Sequence, residues 1–130
     1  MPPRSAFPKG SRLRTKADFD KVYACRCKAG DGVLLLFGRL NGLTVSRIGL
    51  SVSRKAGPAV TRNRIKRLLR EAFRRSQEQL PRGLDLVAIP VGAERAQLDA
   101  YQQSLHRLSQ KLLRRLEERS AANPDGESAS

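Results

Sequence analysis

The sequence is short of the side chains that usually perform chemistry. It has a single histidine, His106, and no tryptophan, and it sets twelve acids against twenty-six lysines and arginines. No HExxH, close carboxylate pair or nucleophile–base triad can be read from so few groups, so catalysis by these side chains is not expected. The two cysteines, Cys25 and Cys27, lie too close together to staple a fold, and no second pair completes a zinc site. They read as reduced thiols. No apolar run approaches the ~20 residues that span a bilayer, and no charged-then-apolar secretory segment opens the chain. The expectation is a soluble protein of the cytoplasm with no membrane partner.

What the chain has in excess is positive charge. A formal net charge of +14 and a pI near 11.2 on 130 residues mean strong self-repulsion, which a polyanionic partner relieves. Hydrophobic residues make up 39%, enough for one modest core, so a single domain is expected.

The cations concentrate between Thr61 and Arg75, TRNRIKRLLREAFRR, where Glu71 is the lone acid. At 100° per residue Ile65, Leu68, Leu69, Ala72 and Phe73 form a buried stripe. Asn63, Lys66, Arg67, Arg70 and Arg74 fall on the opposite side. The stripe sets the rotation of the helix, and that rotation lines up four cations and an amide as donors suited to a phosphodiester backbone. A charged helix face is commonly just solvated, but such faces mix signs so that i,i+4 pairs support the helix, and here only Glu71 can do so. Arg62 projects at the edge of the apolar stripe, either frayed at the helix start or turned into a neighbouring groove.

Elsewhere, residues 1–14 hold three prolines and four basic side chains without an acid, and predict a flexible basic arm. Thr15 and Asp18 form a capping box for a helix from Lys16 to about Cys25, with Phe19 and Tyr23 one turn apart on one face. That spacing alone more often marks core than a binding platform. Gly30-Asp31-Gly32 reads as a turn, and VLLLFGRL as a strand with Val33, Leu35 and Phe37 on one face and Leu34 and Leu36 on the other. Asn41-Gly42 is a hairpin signal leading to a second strand from about Thr44 to Ser53. There Ile48, Leu50 and Val52 alternate with Arg47, Gly49, Ser51 and Ser53, one face apolar and the other small and polar. Gly57-Pro58 holds off helix until Ala59, and Thr61 is the expected N-cap, with free N–H groups near Asn63 and Arg64. Leu84 to Ile89 is a third strand, ended by Pro90; strand, helix and strand make a βαβ unit, right-handed by the general rule. From Ala96 to Leu116 a stripe of Leu98, Tyr101, Leu105, Leu108, Leu112 and Leu116 predicts a long amphipathic helix with His106 beside it. Residues 119–130 are polar and aperiodic and predict a disordered tail. The folded domain is thus expected over 15–118, with no internal repeats.

The stretch from Arg47 to Arg75, and above all Arg62-Asn63-Arg64 followed by Ile65-Lys66-Arg67, resembles the signature of the bacterial ribonuclease P protein component. The likeness extends to RLRTKADFDKVY at Arg12 to Tyr23, to VLLLF and to the leucine-striped last helix. It implies an α+β fold, an α-β-β-β-α-β-α sandwich with a central mixed sheet and an unusual left-handed βαβ crossover, against the general rule. It also implies a monomeric protein subunit that binds the catalytic RNA subunit of ribonuclease P and the 5′ leader of precursor tRNA. No cofactor would be bound by the protein itself, Mg2+ being held at the RNA where the phosphodiester bond is hydrolysed. Carried over residue by residue, Arg62, Asn63, Arg64, Lys66, Arg67, Arg70 and Arg74 would contact the RNA subunit. The leader cleft would be built from Phe19, Tyr23, Phe37, Ser51 and Lys55, with Leu36 in place of Phe37 if the strand register slips by one. Under this resemblance Phe19 and Tyr23 become stacking platforms, each worth on the order of 1 to 3 kcal/mol and indifferent to base identity. Two departures stand out: Pro90-Val91-Gly92 where many members carry a basic residue, and Pro58 where a small polar residue is common. A structural nucleic-acid binder, such as a ribosome-associated protein, and a self-sufficient protein nuclease are the competing classes.

The charge excess itself generates a prediction. At low ionic strength the free protein is partly unfolded, and sulfate restores structure by binding the folded form. Circular dichroism checks this, and a spectrum that does not change on adding sulfate contradicts it.

Overall fold

Thr15 and Asp18 start the first helix as a reciprocal cap. The Thr15 hydroxyl accepts from the Asp18 N–H at 3.1 Å, and the Asp18 carboxylate accepts from the Thr15 N–H at 3.5 Å. Helix α1 then runs Lys16–Cys25 and stops at Arg26, whose φ of 58° turns the chain out of the helix. The computed structural model describes residues 12–92 and 96–122. The remaining elements are β1 (Lys28–Gly30), β2 (Leu34–Leu40), β3 (Arg47–Leu50), a short 3-10 turn at Arg54–Ala56, α2 (Ala59–Ser76), β4 (Leu84–Pro90) and α3 (Leu98–Ala122). This is the expected α-β-β-β-α-β-α order. Among the described residues no helix is long and apolar enough to cross a membrane.

Strand β1 is a correction to the direct reading of the residues, which made Gly30 part of a turn. Lys28, Ala29 and Gly30 pair antiparallel with Phe37, Leu36 and Leu35. Three residues are too few to show alternation. The turn that follows is closed by Asp31, whose carboxylate accepts from the N–H groups of Val33 at 2.8 Å and Leu34 at 2.9 Å.

The sheet order is β1-β2-β4-β3, with β4 antiparallel to β2 and parallel to β3. Asn41-Gly42 therefore turns the chain without joining neighbouring strands, because β4 inserts between the two it was expected to pair. The Asn41 amide donates to the Val45 carbonyl at 3.1 Å and to Asp85 of β4 at 2.8 Å, so the loop is anchored to the inserted strand. The second strand is also shorter than expected, although the N–H of Ser51 still donates to Ala88.

One face of the sheet presents Leu34, Leu36, Ile48, Leu84, Leu86 and Ala88 to α2 and α3, which contribute Ile65, Leu69, Phe73, Tyr101, Leu105, Leu108 and Leu112 to the main core. The other face receives α1 through Val22, Val87 and Leu13. Helix α2 begins a turn earlier than expected, with Pro58 at the N-cap and the Arg62 N–H donating to the Pro58 carbonyl. Thr61 is thus inside the first turn rather than capping it, and the free N–H groups belong to Ala59, Val60 and Thr61. Proline suits this place because its φ is preset and it has no N–H to leave unpaired.

Both ends of the folded region reach further than expected. The N–H of Leu13 donates to the Ile48 carbonyl at 3.0 Å and its side chain is buried, so Arg12–Arg14, assigned to the arm, lie along β3. Helix α3, about 37 Å long at 1.5 Å per residue, continues through residues 119–122, which were assigned to the tail. Its Arg119 donates to the carbonyls of Cys25 at 2.6 Å and Arg26 at 3.1 Å, and Arg115 donates to that of Lys28. These bonds satisfy carbonyls at the end of α1 and tie α3 to it. The rest of the expected arm and tail, residues 1–11 and 123–130, lies outside the described residues.

Asp85 is the one acid in β4 and is fully buried. Its carboxylate accepts from Arg47 Nε at 2.8 Å and Nη2 at 2.7 Å, with Arg39 Nη2 at 3.3 Å on the other side. Burial pushes its pKa up, but the hydrogen bonds from Arg47 and Asn41 and the charges of Arg47 and Arg39 outweigh that, and the net shift is downward. Burial likewise raises Asp31, and bonds from Leu34, Val33, Arg107 and Ser104 bring it down to about 2. Both carboxylates are lowered by folding, so the stability they add is present above the ordinary carboxylate range and is lost on acidification below it, for Asp31 as pH falls towards 2. Asp85→Asn leaves two arginines uncompensated and is expected to cost about 3 kcal/mol at neutral pH. Urea unfolding at pH 6 and pH 3 checks this: the variant should lose less on acidification than the parent.

Candidate nucleic-acid interface

The α1 face of the sheet is only partly covered. Phe19 and Tyr23 of α1, Phe37 of β2 and Ile89 of β4 surround the buried Val22 and Val87 and stay half-buried. Tyr23 meets Phe37 edge to face, with ring centroids 5.0 Å apart and planes at 84°, and Lys28 Nζ lies 5.9 Å from the Phe37 centroid. Alternation along β2 puts Phe37 on this face and buries Leu36 in the main core, which decides between the two. The register stands as first read.

Gly49 is why Phe19 can lie flat on β3. A Cβ at this position would sit 2.6 Å from Phe19 Cζ, inside van der Waals contact. The ring's edge borders a cavity of about 190 Å³ whose walls also include Arg12, Arg14, Lys66 and Arg70. The aromatic cleft and the basic helix therefore share a wall. Partial desolvation and, second to it, the charge of Arg12 lower the pKa of Arg70.

On α2 the rotation set by Ile65, Leu69, Ala72 and Phe73 leaves Asn63, Arg64, Arg67 and Arg70 exposed and Lys66 half-buried. Arg62 is not frayed: it lies within α2 and folds back on the preceding loop, its Nε donating to the Gly57 carbonyl at 3.1 Å. Arg74 is bonded to Glu71, which also accepts from Arg75 Nε at 2.7 Å. These hydrogen bonds hold the Glu71 pKa at about 2. The C-terminal turn of the ridge is thus partly neutralised by its own acid, while the stretch from Asn63 to Arg70 is not.

The family model described as Ribonuclease P matches residues 7–114. The chain belongs to the ribonuclease P protein family. The ribonuclease P protein component of Thermotoga petrophila is 35% identical over 115 residues, 86% of this chain and 97% of that protein. That of Salmonella arizonae is 41% identical over 111 residues, 85% of this chain and 90% of that one. The solved RNase P protein of Thermotoga maritima superposes with a TM-score of 0.67 at 33% identity, covering 75% of this chain and 96% of that one. For the RNase P protein of Staphylococcus aureus the TM-score is 0.66 at 29% identity, over 82% and 94%. As a ribonuclease P protein the chain is an RNA-binding component of tRNA processing, a subunit of an endoribonuclease that works with an RNA partner.

Within this ribonuclease P protein, Phe19, Tyr23 and Phe37 are brought together as the resemblance implied. Ser51 lies half-buried just past β3, and Lys55 is exposed in the 3-10 turn, its N–H bonded to Ser53. Arg12, Arg14 and Lys28 were not selected from the sequence, and neither was the Arg39–Asp85–Arg47 group that closes one end of the α1 face. Asp85 did carry a usable signal: a lone acid in an apolar strand needs a buried partner. For Arg12 and Arg14 there was none, since their position depends on pairing with β3.

Gly49→Ala is expected to destabilise the fold by about 1 to 3 kcal/mol by overpacking against the ring. Adding Phe19→Leu should recover most of that loss, and additive losses in a denaturant double-mutant cycle would show that the contact does not govern the site.

Proposed function

We propose that this chain grips the 5′ leader of precursor tRNA in the cleft between α1 and the sheet, and the catalytic RNA subunit along α2, in the cytoplasm and as a monomer. In doing so it assists endonucleolytic removal of the leader, which yields the mature tRNA 5′ end. The observation that carries this is the shared cavity wall, where Phe19 and Gly49 meet Lys66 and Arg70. A single strand stacked on the cleft rings passes directly to a row of cations, so one protein can hold two RNAs side by side.

The rings supply sequence-tolerant stacking, as an enzyme acting on many leaders requires, and the small residues Gly49 and Ser51 leave room for a backbone on the sheet. Arg64, Lys66, Arg67 and Arg70 neutralise phosphates and favour the substrate-bound form, with the Asn63 amide as a neutral donor beside them and Arg62 and Arg74 buttressing the row from its two ends. Bond cleavage is assigned to the RNA. Among the described residues no group of three His, Cys, Asp or Glu side chains could hold a metal ion. Asp31, Glu71 and Asp85 are already paired with arginines. Magnesium is assigned, with bond cleavage, to the RNA partner.

Reconstitution tests the reading. Added to a catalytic RNA at low magnesium, the protein should restore 5′ cleavage, and a mere structural binder would leave the RNA inactive. Phe19→Ala should weaken binding of precursor tRNA by roughly 5- to 100-fold, with little effect on mature tRNA. Equal losses for the two would remove the leader from the cleft.

A further inference from the structure

The outer face of α3 has no part in the cleft or the α2 ridge, yet its middle is charged in one sign. From Ala100 to Leu116 the helix contains no carboxylate, and Glu117 and Glu118 follow only at its far end. His106, Arg107, Lys111 and Arg114 are exposed along it and, with Gln103 and Gln110, line one shallow groove. Arg107 pairs with Asp31, but among the described residues Lys111 and Arg114 form no ion pair. Like charges three and four residues apart destabilise a helix, and the buried stripe from Tyr101 to Leu116 has no need of them. Merely solvated faces in this protein look different: Lys16 of α1 pairs with Asp20, and Arg75 of α2 with Glu71.

The position of this face separates it from the ridge. Lys66 and Arg70 share a cavity with Ile48 and Leu50, at the β3 edge of the sheet. Arg107 reaches the β1–β2 turn and Arg115 the carbonyl of Lys28, at the β1 edge. In the order β1-β2-β4-β3 these are opposite edges, about 14 Å apart between strand axes alone.

We propose that the outer face of α3 is a second phosphate-backbone contact, made with a segment of the folded RNA subunit distinct from the one held by α2. This rests on the reading of the chain as an RNA-binding subunit. At 1.5 Å per residue, Lys111 and Arg114 stand about 6 Å and about 10 Å from Arg107 along the axis, so the row can follow a few successive phosphates of one strand. Gln103 and Gln110 add neutral donors beside it. Such a surface positions a backbone and reads no sequence. The leader is not the occupant, because its cleft opens on the α1 face, on the other side of the sheet. Two cationic surfaces on opposite edges would make the protein a clamp between two parts of the RNA subunit's fold.

The test uses the full chain with Lys111→Ala and Arg114→Ala combined, beside Lys66→Ala with Arg67→Ala, and measures affinity for the RNA subunit across a salt series. The α3 pair should bind on the order of tenfold more weakly, with a log–log salt slope shallower by about 2, and should keep its preference for precursor over mature tRNA. The charge-retaining pair Lys111→Arg with Arg114→Lys should restore the slope. An unchanged slope for the α3 pair, with a reduced one for the α2 pair, would overturn the second contact and leave the subunit reading intact. Unchanged binding in both pairs would overturn the subunit reading and this contact with it. A lost precursor preference at constant slope would instead make α3 a support for the cleft.

Discussion

The insertion of β4 between β2 and β3 is the constraint on which the rest of this structure depends. Buried on both faces, β4 sends Leu84, Leu86 and Ala88 into the core under α2 and α3, and Asp85 and Val87 towards α1. A strand covered on both sides has to read as nearly continuous apolar sequence, and Leu84 to Ile89 does, with one exception. That exception, Asp85, draws in Arg39 from β2 and Arg47 from β3, which flank it in register. A single carboxylate thus ties three strands together across the α1 face.

The distribution of the few acids divides the arginines into two kinds. Asp31, Glu71 and Asp85 hold Arg107, Arg74, Arg75, Arg39 and Arg47 in ion pairs, where they brace turns, helix ends and strands. Among the described residues, the remaining exposed cations on α2 from Arg64 to Arg70 have no such acid. A surface of this kind has a high potential because no carboxylate among the described residues pairs with it, and a polyanion is what lowers its free energy. The cavity below Phe19 is where the two systems touch, since its walls take apolar contact from α1 and β3 and charge from Lys66 and Arg70.

Much of the architecture was legible because its signals are local. The capping box of Thr15 and Asp18 marks the start of α1, the two-residue period of VLLLF assigns Phe37 and Leu36 to opposite faces, and the stripe of Ile65, Leu69 and Phe73 sets the rotation of α2. What was missed is long-range or too brief for a pattern. Strand β1 has three residues, Arg12–Arg14 are placed by a bond from Leu13 to Ile48, and the last turns of α3 are held by carbonyls of residues 25, 26 and 28. Asn41-Gly42 misled for the same reason: it specifies a turn, and strand adjacency was decided by a segment more than forty residues away.

By itself, the sequence determined the helix faces, the strand faces, the excess of positive charge and, through Arg62 to Arg67, the family, since each of these is carried by neighbouring residues at a fixed helical or strand period. Only the tertiary structure decided that Phe19 would lie on Gly49, that the ring cleft would share a wall with Lys66 and Arg70, and that α2 and α3 would present their cations at opposite edges. Those outcomes depend on which strand lies beside which, and that is settled by burying apolar surface from the whole chain at once.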